Sequence, residues 1–200
     1  MNSIKRQFDL FFSLIGISLF LPLGALIGLI IKIEDGGPVF YIQERIGHRG
    51  KSFRMIKFRT MIRDADKIGS AITIGNDARI TSVGRWLRRF KLDEFPQLFN
   101  VLKGEMSFVG PRPEVPKYVA VYNDMEREVL NLVPGITDPA SVIYRNESEI
   151  LGGFQDPEKQ YIEKIMPDKI RINLEYARRA NIMSDIFVIL QTLGLLFKGR

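Results

Sequence analysis

The chain begins with a long stretch of apolar positions. Leu10 to Ile31 contains 22 residues without a charge, which as a straight helix would be about 33 Å long and match the hydrocarbon thickness of a bilayer. Basic residues stand on both sides, with Lys5 before the segment and Lys32 directly after it, and such residues favour the cytoplasmic side of a membrane. Pro22, at the midpoint, is expected to bend the helix. The pattern favours a re-entrant helix-break-helix with both ends in the cytoplasm.

Two alternatives stay open for this segment. A straight single span is long enough to cross the bilayer. A cleaved signal peptide is disfavoured, because the apolar run is too long and no convincing small-residue cleavage site follows it. The sequence contains no repeat, low-complexity tract or Pro/Ser-rich linker. It therefore predicts two units, a membrane element over residues 1–35 and one cytoplasmic domain over residues 36–200.

The pattern then changes to short alternating runs and helical periods. Val39 to Ile42 and Phe53 to Met61, joined through Gly47-His48-Arg49-Gly50, predict a β-hairpin. Further helices are predicted between punctuating prolines over Glu114–Asn131, Pro157–Ile165, Asp168–Arg179 and Ser184–Phe197. The last of them is apolar on most sides and either lies in the headgroup layer or packs in the core. The predicted class is α+β, mainly helical, with amphipathic interfacial helices around a compact domain.

Charge is unevenly distributed along the 200 residues. The net charge is +6, but Arg45 to Lys91 holds 13 basic and three acidic residues, whereas Glu114 to Glu175 holds 12 acidic and seven basic ones. A basic half beside a membrane segment suits anionic lipid, nucleic acid or a phosphorylated substrate, and no nucleic-acid module is recognisable. Cysteine is absent and His48 is the only histidine. Disulfides and thiolate metal sites are therefore excluded, and a single histidine leaves no His-based metal cluster.

Two adjacent carboxylates, Asp93 and Glu94, follow a dense run of cations and precede a helical pattern of apolar residues. Asp93 is predicted to be the N-cap of that helix, and the cations Arg85, Arg88, Arg89 and Lys91 are expected to attract an anionic substrate. One carboxylate could attack phosphorus while its neighbour holds a cation such as Mg²⁺. Taken alone, the pair is more typical of an ordinary N-cap followed by a surface glutamate.

Neighbouring motifs change that balance. Gly110-Pro111-Arg112-Pro113 predicts a rigid turn in which two prolines present one arginine. Lys57 and Arg59, two positions apart in a predicted strand, are expected on one face and imply an anion. Asp64-Ala65-Asp66 resembles the Asp-x-Asp metal site of nucleotide-sugar glycosyltransferases, but a solvated helix start is the favoured interpretation.

In combination, these motifs resemble the bacterial sugar transferases, small monotopic phosphoglycosyl transferases that load a sugar phosphate onto polyprenol phosphate. The resemblance covers nearly the whole chain and depends on the order and spacing of several elements. These are the hydrophobic N-terminus, Gln43-Glu44-Arg45-Ile46-Gly47, Lys57-Phe58-Arg59-Thr60-Met61, Leu92 to Gly104, Gly110-Pro111-Arg112-Pro113 and Pro134-Gly135-Ile136-Thr137.

The resemblance implies a ping-pong transfer at the cytoplasmic face of the bacterial membrane. In such enzymes the aspartate, here Asp93, attacks the β-phosphorus of a UDP-sugar, UMP leaves, and polyprenol phosphate then displaces the phosphosugar. Glu94 is implied to coordinate Mg²⁺. The residues expected to contact substrate are Lys57, Arg59, Arg79, Arg88, Pro111, Arg112, Pro113 and Arg145.

The chain also departs from the family pattern. Asp138-Pro139-Ala140-Ser141 stands where many relatives have Gly-Leu-Ala-Gln, so contacts near the nucleotide or sugar are expected to differ. Leu21 precedes Pro22 where many relatives have serine. Two other functions remain open: a non-catalytic membrane-surface scaffold that binds anionic lipid, and a single-span anchored nucleic-acid binder. The sugar, the polyprenol length and the oligomeric state are not predicted.

Overall fold

The computed structural model describes residues 3–68 and 77–197. Within these ranges the fold is mainly helical, with one long apolar N-terminal helix and two small sheets, which confirms the predicted mainly helical α+β class. The strands are β1 (Phe40–Ile46), β2 (Ser52–Phe58), β3 (Ser107–Val109) and β4 (Gly135–Thr137). The helices are α1 (Ser3–Asp35), α2 (Ala65–Ile68), α3 (Ser82–Arg89), α4 (Gln97–Lys103), α5 (Pro116–Val119), α6 (Asp124–Arg127), α7 (Pro139–Ile143), α8 (Glu147–Gly152), α9 (Pro157–Gln160), α10 (Met166–Ala177) and α11 (Ile182–Phe197).

Helix α1 continues without a break through Pro22 to Asp35. The predicted interruption at Pro22 is therefore not observed, and the re-entrant topology stays a prediction. A proline inside a helix removes one backbone hydrogen bond, but contacts with the folded domain on both sides of Pro22 hold the helical conformation here. By length and composition, α1 is apolar and long enough to cross a membrane.

One face of α1 contacts the domain along almost its whole length. The contacting residues recur at spacings of three and four, as expected for one side of a helix: Lys5, Asp9, Gly16, Phe20, Gly24, Ile27, Ile31 and Asp35. The opposite side exposes large apolar residues, for example Leu19 and Ile33, which are 75% and 74% exposed. The helix therefore lies along the domain instead of projecting from it.

The β-hairpin is confirmed. Strands β1 and β2 pair antiparallel, with Phe40 opposite Phe58 and Ile46 opposite Ser52, and the connecting turn holds Arg49 in a left-handed conformation (φ 59°). Strand β2 ends at Phe58, three residues before the predicted end. It ends there because the chain turns toward the residues before α3, where the Thr81 N–H donates to the Thr60 carbonyl at 3.1 Å.

Two close backbone contacts, at Gly84 and Gly135, fix how neighbouring elements pack. A Cβ on Gly84 would lie 2.0 Å from the carbonyl oxygen of Thr60, so only glycine lets α3 pack this closely. A Cβ on Gly135 would lie 2.2 Å from the amide nitrogen of Gly110, where β3 and β4 run in parallel. The first contact positions α3 and the second positions the start of the Pro-Arg-Pro turn.

The predicted single helix over 114–131 is wrong. This region forms α5, α6 and a 3-10 turn over Glu128–Asn131. The division arises because Asn123 caps a new helix: its side chain accepts from the Glu126 N–H at 2.9 Å, and the Glu126 carboxylate accepts from the Asn123 N–H. These short helices pack on a core that includes Tyr118, Tyr161 and Ile170.

The C-terminal helices follow the predictions with shifted ends. Helix α9 and the π-helical turn Tyr161–Ile165 cover the predicted 157–165 segment and run directly into α10. Pro167 lies in the first turn of α10, where its missing N–H needs no partner. Helix α11 begins at Ile182, two residues before the predicted start.

Candidate active site

Asp93 and Glu94 lie in a single 3-10 turn, Leu92–Glu94, between α3 and α4. The predicted role of Asp93 as a helix N-cap is wrong, because α4 begins only at Gln97, after Pro96. The turn closes through N–H groups of Glu94 and Phe95, which donate to the carbonyls of Lys91 and Leu92 at 3.3 Å each. Both carboxylates are buried, at 7% and 8% exposure, so they are not a solvated surface pair.

Apolar neighbours attach this turn to the N-terminal helix. The Phe95 ring stacks on Phe20 of α1 with an interplanar angle of 10°. Leu92 and Phe95 also pack against the buried cluster that contains Ile27 and Ile31 of α1. The carboxylate pair is therefore held beside the middle of the apolar helix.

Glu94 is surrounded by cations. The guanidinium of Arg112 donates to both of its carboxylate oxygens, and the Lys57 ammonium lies 3.7 Å from Glu94 Oε1. Burial alone would raise the pKa of Glu94, but Arg112, Lys91 and Lys57 together hold it well below its usual range. The negative charge of Glu94 in turn raises the pKa of Arg112. Glu94 is therefore a stable carboxylate.

Asp93 is less well satisfied than its neighbour. Its Oδ1 atom is buried and accepts no hydrogen bond from the residues that the structure describes. Burial, and secondly the negative charge of Glu94, raise the pKa of Asp93 against the opposing effect of nearby cations. Buried polar atoms nearly always have a partner, so this oxygen is a candidate for contact with a ligand.

Lys57 and a further cation, Arg88, lie on the remaining sides of the pair. Lys57 projects from β2, and burial, followed by repulsion from Arg112, lowers its pKa to about 7. Arg88 projects from α3 and its Nε donates to Thr60 Oγ1 at 2.8 Å. The pKa of Arg88 lies below its usual value because the side chain is buried, and the negative charge of Asp93 offsets part of this shift. Both side chains can favour a phosphate that approaches Asp93.

Other predicted contact residues are engaged elsewhere. Arg59 donates from both terminal nitrogens to Asp35, with Nη1 at 2.5 Å from Oδ2, and from Nε to the Pro38 carbonyl at 2.6 Å. The expectation that Lys57 and Arg59 share one face is therefore wrong, since β2 ends between them. Arg79 pairs with Asp77, with Nη2 2.6 Å from Oδ2.

A cavity of about 2370 Å³ joins these groups. Its lining includes every charged residue predicted for the site: Lys57, Arg59, Arg79, Arg88, Asp93, Glu94, Arg112 and Arg145. Pro111 and Pro113 frame Arg112 instead, and their carbonyls accept from the Gly135 N–H at 3.0 Å and from Arg45 Nη1 at 2.9 Å. That the charged lining residues and the two prolines contact substrate stays a prediction.

Two supporting residues were not singled out from the sequence. Thr60 orients Arg88, and Arg45 fixes the Pro-Arg-Pro turn through the carbonyl of Pro113. Both belong to motifs that carried the family resemblance. Their position in those motifs was the available signal, but it did not reveal which partners they bind.

The described residues include no cluster of three or more His, Cys, Asp or Glu side chains able to hold a metal ion. Mg²⁺, however, commonly uses only one or two protein carboxylates together with water and substrate phosphates. The charged carboxylate of Glu94 fits that kind of ligand set. Asp64-Ala65-Asp66 lies at the start of α2, and the side chain of Asp66 lies outside the described residues.

The site is thus a buried carboxylate pair among cations, held beside a long apolar helix. The model of one protein family, bacterial sugar transferase, matches residues 1–199. The chain belongs to this family, which confirms the resemblance drawn from its motifs.

Individual relatives agree with this assignment. A Bacillus subtilis protein is 44% identical over 135 residues, which cover 68% of this chain and 72% of the relative. Its name gives it the proposed activity of an undecaprenyl-phosphate N-acetylgalactosaminyl 1-phosphate transferase. The exopolysaccharide production protein ExoY of Rhizobium meliloti is 32% identical and covers 98% of this chain and 86% of the relative.

A third relative is much longer than this chain. The UDP-N-acetylgalactosamine-undecaprenyl-phosphate N-acetylgalactosaminephosphotransferase of Aeromonas hydrophila is 33% identical over 98% of this chain, which spans only 44% of that protein. The names of the Bacillus subtilis and Aeromonas hydrophila relatives are those of phosphoglycosyl transferases.

Proposed function

We propose that this protein transfers a phosphosugar from a UDP-sugar to polyprenol phosphate and releases UMP, as the first membrane step of glycan assembly. Family membership supports the general reaction. The observation that carries the specific mechanism is the oxygen Asp93 Oδ1, which is buried, accepts no hydrogen bond from the described residues, and lines a cavity shared with several cations. A carboxylate in such surroundings is suited to attack phosphorus.

In the first step, Asp93 attacks the β-phosphorus of the UDP-sugar. A bond forms between the carboxylate oxygen and phosphorus, and the bond between that phosphorus and the bridging oxygen breaks, so that UMP leaves with the electron pair. Lys57, Arg88 and Arg112 stabilise the negative charge on the phosphate oxygens during this step. The product is a phosphosugar linked to the carboxylate of Asp93.

In the second step, an oxygen of polyprenol phosphate attacks the same phosphorus. The bond to Asp93 breaks, the carboxylate is regenerated, and polyprenol-diphosphate-sugar leaves. Because the two substrates react with the same residue in turn, the kinetics should be ping-pong.

Glu94 has a different role in this proposal. Arg112 and Lys57 keep it charged, so it can serve as a ligand of a divalent cation together with substrate phosphate oxygens. Mg²⁺, when bound, would neutralise diphosphate charge and assist the departure of UMP. Glu94 therefore binds, and Asp93 reacts.

The contacts of α1 support a monotopic arrangement at the cytoplasmic face of the bacterial membrane. Near its N-terminus, Lys5 donates to the Val109 carbonyl at 2.9 Å, and at its C-terminus Asp35 pairs with Arg59. Both ends are thus bonded to one folded domain, and the middle lies beside the charged carboxylate pair. A perpendicular span would carry that charged site into the hydrocarbon, which is unfavourable.

Accessibility labelling tests this topology. The chain has no cysteine, so Ser3→Cys and Ile33→Cys, made as separate variants, each introduce one unique thiol, one at each end of the apolar segment. In inverted and right-side-out membrane vesicles, both thiols should react from the cytoplasmic side only. Labelling from opposite sides would establish a single span instead.

The activity is tested by UMP release from a panel of UDP-sugars, with Mg²⁺ and polyprenol phosphate, using detergent-solubilised protein. At least one donor should react and leave a trapped phosphosugar on the peptide that contains Asp93. Asp93→Asn should lose both signals, whereas Asp124→Asn, a matched change at an exposed position of α6, should retain them. Full turnover by Asp93→Asn would refute the mechanism, and the absence of any reactive donor would favour the lipid-binding scaffold.

A further inference from the structure

The cavity beside the carboxylate pair extends to the C-terminal helix. Four residues of α11 line it, and we refer to them as the α11 wall: Ile189, Thr192, Leu193 and Leu195. Phe108 of β3 and Ile136 of β4 also line the cavity. Apart from Thr192, these side chains are apolar, in contrast to the cations around Asp93. The cavity therefore joins a cationic region to an apolar one.

Specific bonds hold the α11 wall in this position. Thr192 Oγ1 lies 2.7 Å from Thr137 Oγ1 of β4 and also donates to the Val188 carbonyl at 2.8 Å. At the start of α11, Asp185 pairs with Lys5 of α1 and accepts from the Tyr176 hydroxyl at 2.6 Å. The helix is thus fixed both to the sheet that leads into Arg112 and to the N-terminal end of α1.

The outer side of α11 shows that this apolar surface continues out of the cavity. Leu193 lines the cavity yet is 47% exposed, and Phe187 and Leu190, which are not part of the wall, are 61% and 59% exposed. Between Ile182 and Phe197 the only ionisable residue is Asp185. An apolar chain could therefore pass from a surrounding lipid phase over Leu193 into the cavity without meeting a charged side chain of α11.

A molecule that satisfies both regions is an amphiphile with an anionic head and an apolar tail. A nucleotide sugar would gain nothing from the α11 wall, because it has no long apolar part. A phosphorylated isoprenoid does, since its phosphate complements Arg112 and its chain can be buried against Ile189 and Leu193.

We propose that the α11 wall binds the isoprenoid chain of the lipid phosphate acceptor and directs its phosphate to Arg112. The identity of the acceptor rests on the proposed function, whereas its location rests on the cavity. The wall is a binding surface, and it takes no part in attack on the UDP-sugar.

Measurement of the two half-reactions separately tests this location. Ile189→Trp and Leu193→Trp would narrow the cavity beside α11, and Leu190→Trp is the matched control on the exposed side of the same helix. The first two variants should raise the KM for polyprenol phosphate by about tenfold or more, while isotope exchange between UMP and UDP-sugar without acceptor changes by less than about twofold. The control should alter both quantities by less than about twofold.

Photo-crosslinking of the unaltered protein gives an independent measurement. A polyprenyl phosphate that carries a benzophenone in its chain should label the peptide that contains residues 182–197, and excess unlabelled polyprenyl phosphate should prevent this. Labelling confined to α1, or wall variants that impair exchange and acceptor use equally, would overturn the proposal.

These outcomes are separable from failure of the proposed function. A wild-type protein that uses no UDP-sugar refutes the transfer reaction. The crosslink would then still report whether an isoprenoid phosphate occupies the α11 wall, and labelling elsewhere would still exclude that location.

Discussion

Lys57 and Arg59 are two residues apart in the chain, yet they lie in regions of opposite character. Arg59 is saturated: its donors meet Asp35 and the carbonyls of Pro38 and Met61. The Lys57 ammonium lies 3.7 Å from Oε1 of Glu94, a carboxylate that also pairs with Arg112. Its contact is therefore looser than those of Arg59. The two cations therefore differ in how tightly they are paired, although both are basic and close together in the chain.

The difference extends to the surroundings of each cation. At the C-terminal end of α1, Arg59 pairs with Asp35, so one positive charge faces one negative charge. Around the 3-10 turn Leu92–Glu94, Lys57, Arg88 and Arg112 face two adjacent carboxylates, of which Asp93 retains an oxygen without a partner among the described residues. The two regions therefore differ in how completely their charged groups are paired, and the proposed phosphate ligand would approach the less completely paired one.

Among the cations, the largest effect is expected from Arg112. Arg112→Ala should lower kcat/KM by about a hundredfold or more, because the phosphate loses a cation and Glu94 loses its main partner. Arg112→Lys should recover little, since a lysine cannot donate to both oxygens of Glu94 in the same way. UMP release and thermal unfolding would be measured together. A fully active Arg112→Ala protein would remove Arg112 from the site.

Lys57→Met should separate activity from stability. Methionine keeps an unbranched apolar stem, and the buried ammonium is costly to maintain, as its lowered pKa of about 7 indicates. We expect kcat/KM to fall by about tenfold to a hundredfold, while the free energy of unfolding changes by less than about 1 kcal/mol. Equal losses of activity and stability would place Lys57 among the structural cations.

Arg59→Met should show the opposite pattern. It leaves Asp35 and the Pro38 carbonyl without their donor, so we expect a loss of about 1–3 kcal/mol in the free energy of unfolding. The folded fraction should keep kcat/KM within about threefold, because Arg59 is bonded away from Asp93. The measurement is chemical unfolding in detergent, with turnover normalised to folded protein. A specific rise in the KM for the UDP-sugar would contradict this assignment.

The sequence was sufficient to predict elements whose signals are local. The hairpin depended on alternation and a glycine-containing turn, and the helical character of the N-terminal segment on its uncharged apolar composition, although the break expected at Pro22 is not observed. The cationic character of the site followed from Arg112 in its proline-framed turn and from Arg88 close to Asp93. These features need only neighbours in the chain, and the structure retains them.

Long-range partners explain what could not be predicted. Arg59 leaves the expected face because its partner, Asp35, is 24 residues away at the end of another element. Asp93 is not an N-cap, because the turn is held by packing of Phe95 on Phe20 of α1. The wall contributed by α11 depends on a contact between Thr137 and Thr192, 55 residues apart. Contacts between residues so far apart in the chain leave no periodic pattern in the sequence.

The smallest predicted effect concerns pH and the Asp35–Arg59 pair. Hydrogen bonds from Arg59 lower the pKa of Asp35 from 3.8 to about 2, so the folded state binds a proton less readily than the unfolded state. The stabilisation is then fully present above about pH 5 and is lost as the pH falls toward about 2. Because Asp35 is partly exposed, with 29% of its side chain accessible, we expect about 1 kcal/mol.

Asp35→Asn isolates this contribution, since asparagine keeps an oxygen to accept from the Gly37 N–H, now bonded at 3.0 Å. The difference in unfolding free energy between wild type and variant should be largest near neutral pH and should shrink on acidification, because other carboxylates titrate equally in both proteins. A difference that stays constant between about pH 6 and pH 2 would mean that the pair stabilises the end of α1 through hydrogen-bond geometry. In that case the complete hydrogen bonding of the Asp35–Arg59 pair, and not its charge, would distinguish this region from the 3-10 turn Leu92–Glu94.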